Sequence, residues 1–303
     1  MPRFTTASVA ELLLERPGLQ RIALDNGRRA YVLTELLGPV AVGDEVVVNA
    51  TAVDLGLGTG GWDVVHWNLS RREWDNPGAG HILKLRYTSL QADVAVVEGE
   101  GSLDGKPVVA CFLHSQLAAV AAAFRHGAPG KRLAYVMTDT AALPLALSDL
   151  VADGLFDVTV TAGQAFGGDL EAVNVASALV GTDADAVVVG PGPGVVGTDT
   201  TYGFSSLDVA ATVDLVHALG GLAILAPRYS DADPRERHRG MSHHTTTVLE
   251  LVQATPLMPV PDDGPELDIT ATTMGRSAAD DPGFFAYAAA AGVAAARSVM
   301  STS

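Results

Sequence analysis

The chain is poor in cysteine, poor in positive charge, and free of long hydrophobic runs. Cys111 is the only cysteine, so no intrachain disulfide exists. It falls mid-strand in the apolar run 108–113, where a buried, inert thiol is the expectation. Lys and Arg number 19 against 35 Asp and Glu, for a formal charge of -16. That balance argues against a nucleic-acid or anionic-membrane surface. The first 18 residues show no basic segment followed by an apolar stretch, so no secretory signal is expected. The longest apolar stretches, 117–124 and the alanine-rich 286–296, are too short for a membrane span. No Walker lysine, zinc-ligand spacing or nucleophile elbow is present. A soluble cytoplasmic protein is the expectation.

What is present is core-forming material. Hydrophobic residues make up 48% of 303 positions, enough for one large domain or two smaller ones, with little disorder outside the tails. Residues 19–24 and 28–33 flank Asp25-Asn26-Gly27, a tight-hairpin signal because Asn-Gly accepts positive φ. Further short runs at 45–49, 52–57 and 62–67, the last two separated by Gly58, Gly60 and Gly61, read as strands. Together they predict a small β-barrel or sandwich over residues 1–80. Residues 92–98 and 108–113, parted by Asp104-Gly105, are read as a pair of antiparallel strands at a sheet edge.

Residues 81–303 read as a mainly parallel α/β three-layer domain. Strands at 108–113, 133–137, 157–161, 186–189 and 222–226 are each followed by helical sequence, at 116–126, 143–152, 170–180, 207–219 and 245–253. A last apolar run lies at 267–270, and a closing helix is expected at 284–300. Each apolar run ends in a polar or glycine-rich cluster: His114-Ser115, Thr138-Asp139, Gly163 to Asp169, Gly190 to Thr201, Arg228-Tyr229, and Thr272 to Arg276. In a parallel sheet such ends share one edge, where ligands bind.

Gly163, Gln164, Gly167, Gly168, Asp169 and Glu171 form a turn whose glycines allow close approach of a ligand, with helix amides beyond to favour an anion. Asp169 reads equally as a helix cap. Gly190, Gly192, Gly194 and Gly197 contain a formal G-x-G-x-x-G, but the following helix starts too late for the dinucleotide fingerprint and two prolines remove amide donors. A ligand-facing loop closed by Thr198, Thr200 and Thr201 is weighed against a rigid turn. Ser115 reads as a helix cap, and His114 as a residue facing the pocket.

Ser242 is a natural cap that puts His243 and His244 in a first helical turn, where a neutral imidazole is favoured and can act as a base. Neighbouring helical histidines sit about 100° apart and do not easily share one metal, and with Arg239 nearby an anion fits better than a structural zinc. Arg276 is a candidate phosphate or carboxylate clamp, set against a solvated loop arginine. Arg228 belongs to the same basic pocket, and Asp139 is the best-placed acid.

Leu113-His114-Ser115, Tyr135-Val136-Met137-Thr138-Asp139, Gly163-Gln164-Ala165-Phe166-Gly167-Gly168-Asp169, Arg237-His238-Arg239-Gly240-Met241-Ser242-His243-His244 and Thr273-Met274-Gly275-Arg276 resemble the uncharacterised bacterial domain-of-unknown-function family 3866. The stretch from Gly56 to Gly61 fits as well, so the resemblance spans nearly the whole chain. It implies a soluble bacterial protein and supplies no reaction, cofactor or catalytic residue.

The residues then support a site for an anionic small molecule at the carboxyl edge, in a hydrolase or group transferase. His243 or His244 would be the base, and Asp139 or Asp169 would orient it. Gly167, Gly168, Arg239 and Arg276 would hold negative charge. A non-catalytic ligand-binding or regulatory protein, with Trp62, Trp67 and Trp74 on a partner surface, and a structural assembly protein are the alternatives. Cofactor and any homo-oligomeric state are left open.

Overall fold

The computed structural model describes residues 1–57, 59–262, 267 and 269–301. The chain divides into two compact units, Met1–Val94 and Ala95–Ser303.

In the first unit β1 (Phe4–Arg16), β2 (Leu19–Leu24), β3 (Arg29–Leu33), β4 (Glu45–Asn49) and β5 (Asp63–Asn68) close a barrel in the order β1-β2-β3-β5-β4. Gly27, at φ +79°, makes the β2–β3 turn. Alternate residues, among them Val9, Ile22, Ala30, Val32, Val46, Val48 and Val65, fill the interior, as the period of two requires. Between strands lie the helical turns α1 (Thr34–Leu37) and α2 (Thr51–Asp54). The run read as a strand at 52–57 is thus α2 and the turn after it. None of the α2 side chains is buried, so no sheet face claims them, and Asp54 is fixed between Arg3 and Arg28. A hairpin of β6 (Ile82–Lys84) and β7 (Ala92–Val94) completes this unit.

The second unit carries a six-stranded sheet: β8 (Pro107–Cys111), β9 (Leu133–Thr138), β10 (Val158–Ala162), β11 (Leu170–Ala172), β12 (Ala186–Pro191) and β13 (Leu222–Ala226), ordered β11-β10-β9-β12-β8-β13. All its pairings are parallel. The antiparallel edge pair expected of 92–98 and 108–113 does not form: Ala92 pairs with Lys84, and β8 is flanked on both sides by parallel strands. A short antiparallel ribbon, β14 (Tyr229–Ser230) and β15 (Gly240–Met241), follows β13.

The helices are α3 (Gln116–Gly127), α4 (Asp149–Ala152), α5 (Val175–Gly181), α6 (Val209–Ala218), α7 (His243–Leu251) and α8 (Pro282–Ser301). Alternation along β9 sends Leu133, Tyr135 and Met137 into one core with α3 and α8, and Ala134 and Val136 into a second with α5. Three layers result. By length and composition alone, α8 could cross a membrane. Its Phe284, Phe285, Ala288, Ala291, Ala295 and Ala296 lie in the first core, so it serves as a core helix.

Three expected helices are shorter than their sequence pattern. Residues 143–152 break into a 3-10 turn, Leu145–Leu147, and α4, because Leu143 and Leu145 bond the backbone of Phe166. The helix expected from residue 170 begins only at Val175, capped by Asn174. Asp169 is not its cap. Its carboxylate accepts from the backbone and hydroxyl of Thr159, and Glu171 accepts from Thr161 and from the Gly167 amide. These bonds hold the segment against β10, and 170–172 joins the ladder as β11. Residues 207–219 divide into a 3-10 turn, Ser205–Asp208, and α6. Of the run 267–270, Asp268 lies outside the described residues, and the other three positions form no strand.

Candidate functional site

The chain leaves β8 towards β9 and leaves β12 in the opposite direction, towards β13. The crevice at such a switch is where an open α/β sheet receives ligands. It holds a cavity of about 490 Å³ lined from β8 by Leu113, His114 and Ser115, from β9 by Leu147 to Leu150, from β12 by Gly192 to Val195, and by Ala271 to Met274. His114, Gly192 and Gly194 are therefore side by side there. Gly192 is required by packing, since an added Cβ would stand 2.6 Å from Ala142 O.

His114 is held on both ring nitrogens. Nδ1 lies 3.2 Å from Pro191 O, which can only accept, so Nδ1 carries the proton. Nε2 is then the acceptor, and Ser148 Oγ lies 2.8 Å from it. Ser148 in turn accepts from Val151 N and caps α4. Tyr135, wholly buried, also donates to Pro191 O at 2.9 Å. Burial pushes the His114 imidazole down to about 4, against the opposing pull of the Pro191 carbonyl and Asp149. Ser115 stands at the cap position of α3 without making the cap bond. Its hydroxyl donates to Thr273 instead.

A second assembly follows β13. Ser242 caps α7 through His244 N and also receives His238 Nδ1 at 2.8 Å. The rings of His238, His243 and His244 lie 4.4 to 4.9 Å apart, centroid to centroid. His244 stacks on Phe204 at 3.7 Å. Arg228, 5% exposed, donates from Nη1 to His244 Nδ1 at 2.9 Å. Among the described residues its only carboxylate within 4 Å is Asp233, at 3.9 Å. Burial first, then the charge of Arg235, brings the Arg228 guanidinium down to about 10. Burial and neighbouring arginines bring His238 down to about 3 and His244 to about 2, and lower His243 as well. All three imidazoles are neutral at physiological pH.

One nitrogen from each histidine lies within 4.8 Å of the others, a spacing that brings a metal ion into consideration. The charge around them argues otherwise. Arg228 occupies the Nδ1 lone pair of His244, Arg237 Nε faces His238 Nε2 at 3.4 Å, and three guanidiniums repel a dication. His243 Nε2 is buried with no hydrogen-bond partner among the described residues.

The other expected site residues fall elsewhere. Asp139 accepts from Gln164 N at 2.8 Å and packs against Gly163, so it organises that turn rather than an imidazole. Glu171 lies in β11, and Gly167, Gly168 and Asp169, just before it, are tied to Glu171, Thr161 and Thr159. β10 and β13 stand four strand spacings apart, about 19 Å. The structure thus does not gather Asp169 and Gly168 with the histidines, and no helix amides face an anion at 170. Thr198 and Thr200 bond one another within an exposed turn. Arg239 is exposed, and the charge beside the imidazoles comes from Arg228, Arg235 and Arg237. Arg276 is tied to the buried Asp281 at 3.0 Å and lies 3.9 Å from Asp233.

Ser148, Tyr135, His238, Asp233 and Asp208 escape the sequence reading as site residues. Asp208 is the least expected of these. Its Oδ1 is buried without a partner among the described residues, and burial raises the carboxyl to about 6 despite the hydroxyls of Thr138 and Thr140. Only the polarity of the strand-end cluster Thr138-Asp139 hints at it, since the acid itself arrives from a turn some 70 residues later.

No curated protein matches the chain. A family model matches residues 29–266, which takes in every motif that carried the resemblance except Thr273-Met274-Gly275-Arg276. The chain belongs to that family, whose description is protein of unknown function, DUF3866.

Proposed function

We propose that the chain binds an anionic small molecule at the carboxyl edge of the parallel sheet, held by Arg228, Arg235 and Arg237 beside His238, His243 and His244. One observation carries this reading: Arg228 is a buried guanidinium with no directly bonded carboxylate. Its nearest carboxylate, Asp233 at 3.9 Å, is shared with Arg235 and Arg276. A buried cation so partly compensated is costly, and a ligand anion would supply further negative charge. Arg235 and Arg237 line an open hollow together with Asp199 and Glu236, Arg235 paired with Asp233 and Arg237 with Asp199. Neutral imidazoles such as His243, with its unpartnered Nε2, add hydrogen-bonding groups without repelling the ligand. In a chain of net charge -16, the charges of Arg235, Arg237 and Arg276 all bear on the buried Arg228.

Thermal-shift titration tests it with inorganic phosphate, glycerol phosphate and citrate, and with Zn²⁺ as a contrasting probe. At 100 times its Kd, a bound anion stabilises by about 2.7 kcal/mol, and the shift weakens as sodium chloride is added. Arg237→Gln, on the rim and paired with the exposed Asp199, lowers the affinity at least tenfold. The proposal fails if no anion raises the melting point of the parent chain. It fails equally if Zn²⁺ raises it, reversibly with chelator, and anions do not.

A further inference from the structure

We propose that the crevice at the β8–β12 switch is a separate esterase-type site, with Ser148 as the nucleophile and His114 as its base. The substrate class is a small, uncharged carboxylic ester. This inference does not rest on the basic cluster, and either can fail alone.

The geometry is that of an activated hydroxyl. Pro191 O fixes the proton of His114 on Nδ1, and Nε2 is left to accept from Ser148 Oγ at 2.8 Å. Tyr135 donates to the same carbonyl at 2.9 Å, and its hydroxyl lies 3.5 Å from His114 Nδ1. Val151 N donates to Oγ, which steadies negative charge gathering there. The cap uses an Oγ lone pair and leaves the hydroxyl proton of the buried Ser148 directed at His114 Nε2. Burial keeps His114 unprotonated at neutral pH, and Asp149, on the crevice wall, offsets the charge of the imidazolium once it forms.

The walls select the substrate. Leu113, Leu147, Leu150, Pro193, Val195 and Ala271 are apolar, and no lysine or arginine is among the lining residues. Asp149 disfavours an anion. A phosphoryl group would find no cation here, whereas an acyl chain would find apolar surface.

In the step proposed, Ser148 Oγ adds to the acyl carbon while its proton passes to His114 Nε2. The tetrahedral adduct expels the alcohol oxygen, which takes that proton and leaves as the alcohol, with the acyl group on Oγ. Water then adds to the acyl carbon and gives its proton to the same nitrogen. Oγ departs, recovers the proton, and the carboxylic acid is released.

Labelling of the full chain with phenylmethylsulfonyl fluoride, read by intact mass and peptide mapping, tests the assignment. A single adduct on Ser148 is expected, formed as Oγ displaces fluoride. Ser148→Asn, which keeps a capping oxygen, takes no label at a temperature below its own measured melting point. His114→Ala labels at least tenfold more slowly, and added imidazole restores part of the rate. Hydrolysis of p-nitrophenyl acetate follows the same order. Absence of any adduct in the parent chain overturns the proposal. So does an adduct on Ser115, or labelling of Ser148 at an unchanged rate in His114→Ala.

Discussion

At the scale of single residues, the carboxyl edge depends on contacts that only particular side chains, or none, can make. Gly163 has φ +69°, and a Cβ there would overlap the carboxylate of Asp139, the group that accepts from Gln164 N. Gly194 has φ +89° but faces open space. Both positions disfavour alanine through backbone strain, by about 1 kcal/mol; Gly163→Ala adds the loss of a packed hydrogen bond. We expect Gly163→Ala to destabilise the second unit by about 2–3 kcal/mol and Gly194→Ala by about 1 kcal/mol. Urea unfolding of the two variants separates the contributions, and equal losses would show that the Asp139 contact carries no weight. The same dependence on a single partner governs Gln116. Its side chain accepts from Phe112 N and Leu113 N and donates to Ala226 O and Pro227 O, joining the ends of β8 and β13 beneath both assemblies.

At the scale of elements, α3 against α8 shows how small residues set the spacing of layers. A Cβ on Gly292 would overlap Val120 O, and one on Gly127 would meet Ala296 Cβ at 2.8 Å. Gly292→Val should therefore destabilise the chain by about 2–3 kcal/mol through overpacking, while Arg297→Ala, on the exposed face of α8, should change it by less than about 0.5 kcal/mol. A melting point lowered equally by both would contradict the close crossing. Elements whose pattern is local were legible in the sequence: β2, β4 and β13 fall where their apolar runs lie, and Asn26-Gly27 makes its turn. Elements fixed by distant partners were not. β11 exists because Asp169 and Glu171 bond threonines ten residues upstream, and the helix read at 143–152 is broken by pairing with Phe166. β1 was missed since most of its thirteen residues are not buried and no clean alternation marks it. The site follows the same rule. His243 and His244 were visible as a capped turn, but Ser148 meets His114 across 34 positions of sequence, and His238 reaches them from a 3-10 turn.

At the scale of the whole molecule, the buried neutral histidines make stability depend on pH. His238 and His244, 2% and 6% exposed, have their imidazoles lowered to about 3 and about 2, against about 6.5 in an unfolded chain. Below pH 6.5 the unfolded state takes up protons that the folded state refuses. Their contribution is therefore complete above pH 6.5 and shrinks as the pH falls, by up to about 1.4 kcal/mol per unit for each group. Asp208 acts in the opposite sense. Raised to about 6, it holds a proton in the folded state that the unfolded chain has lost, so its stabilisation is present below pH 4 and disappears as the pH rises through 6. Neutralisation of the surplus carboxylates also relieves self-repulsion on acidification. The histidine effect is thus best read as a difference between chains. With His238→Asn and His244→Gln, where Gln keeps an acceptor for Arg228, the fall in unfolding free energy from urea titration between pH 7 and pH 4.5 should be shallower than in the parent, by about 2 kcal/mol or more. A parallel pair of curves would mean that these imidazoles already accept protons in the folded protein. Burial and the neighbouring arginines would then not be holding them neutral, and the case for a bound anion would lose its electrostatic basis.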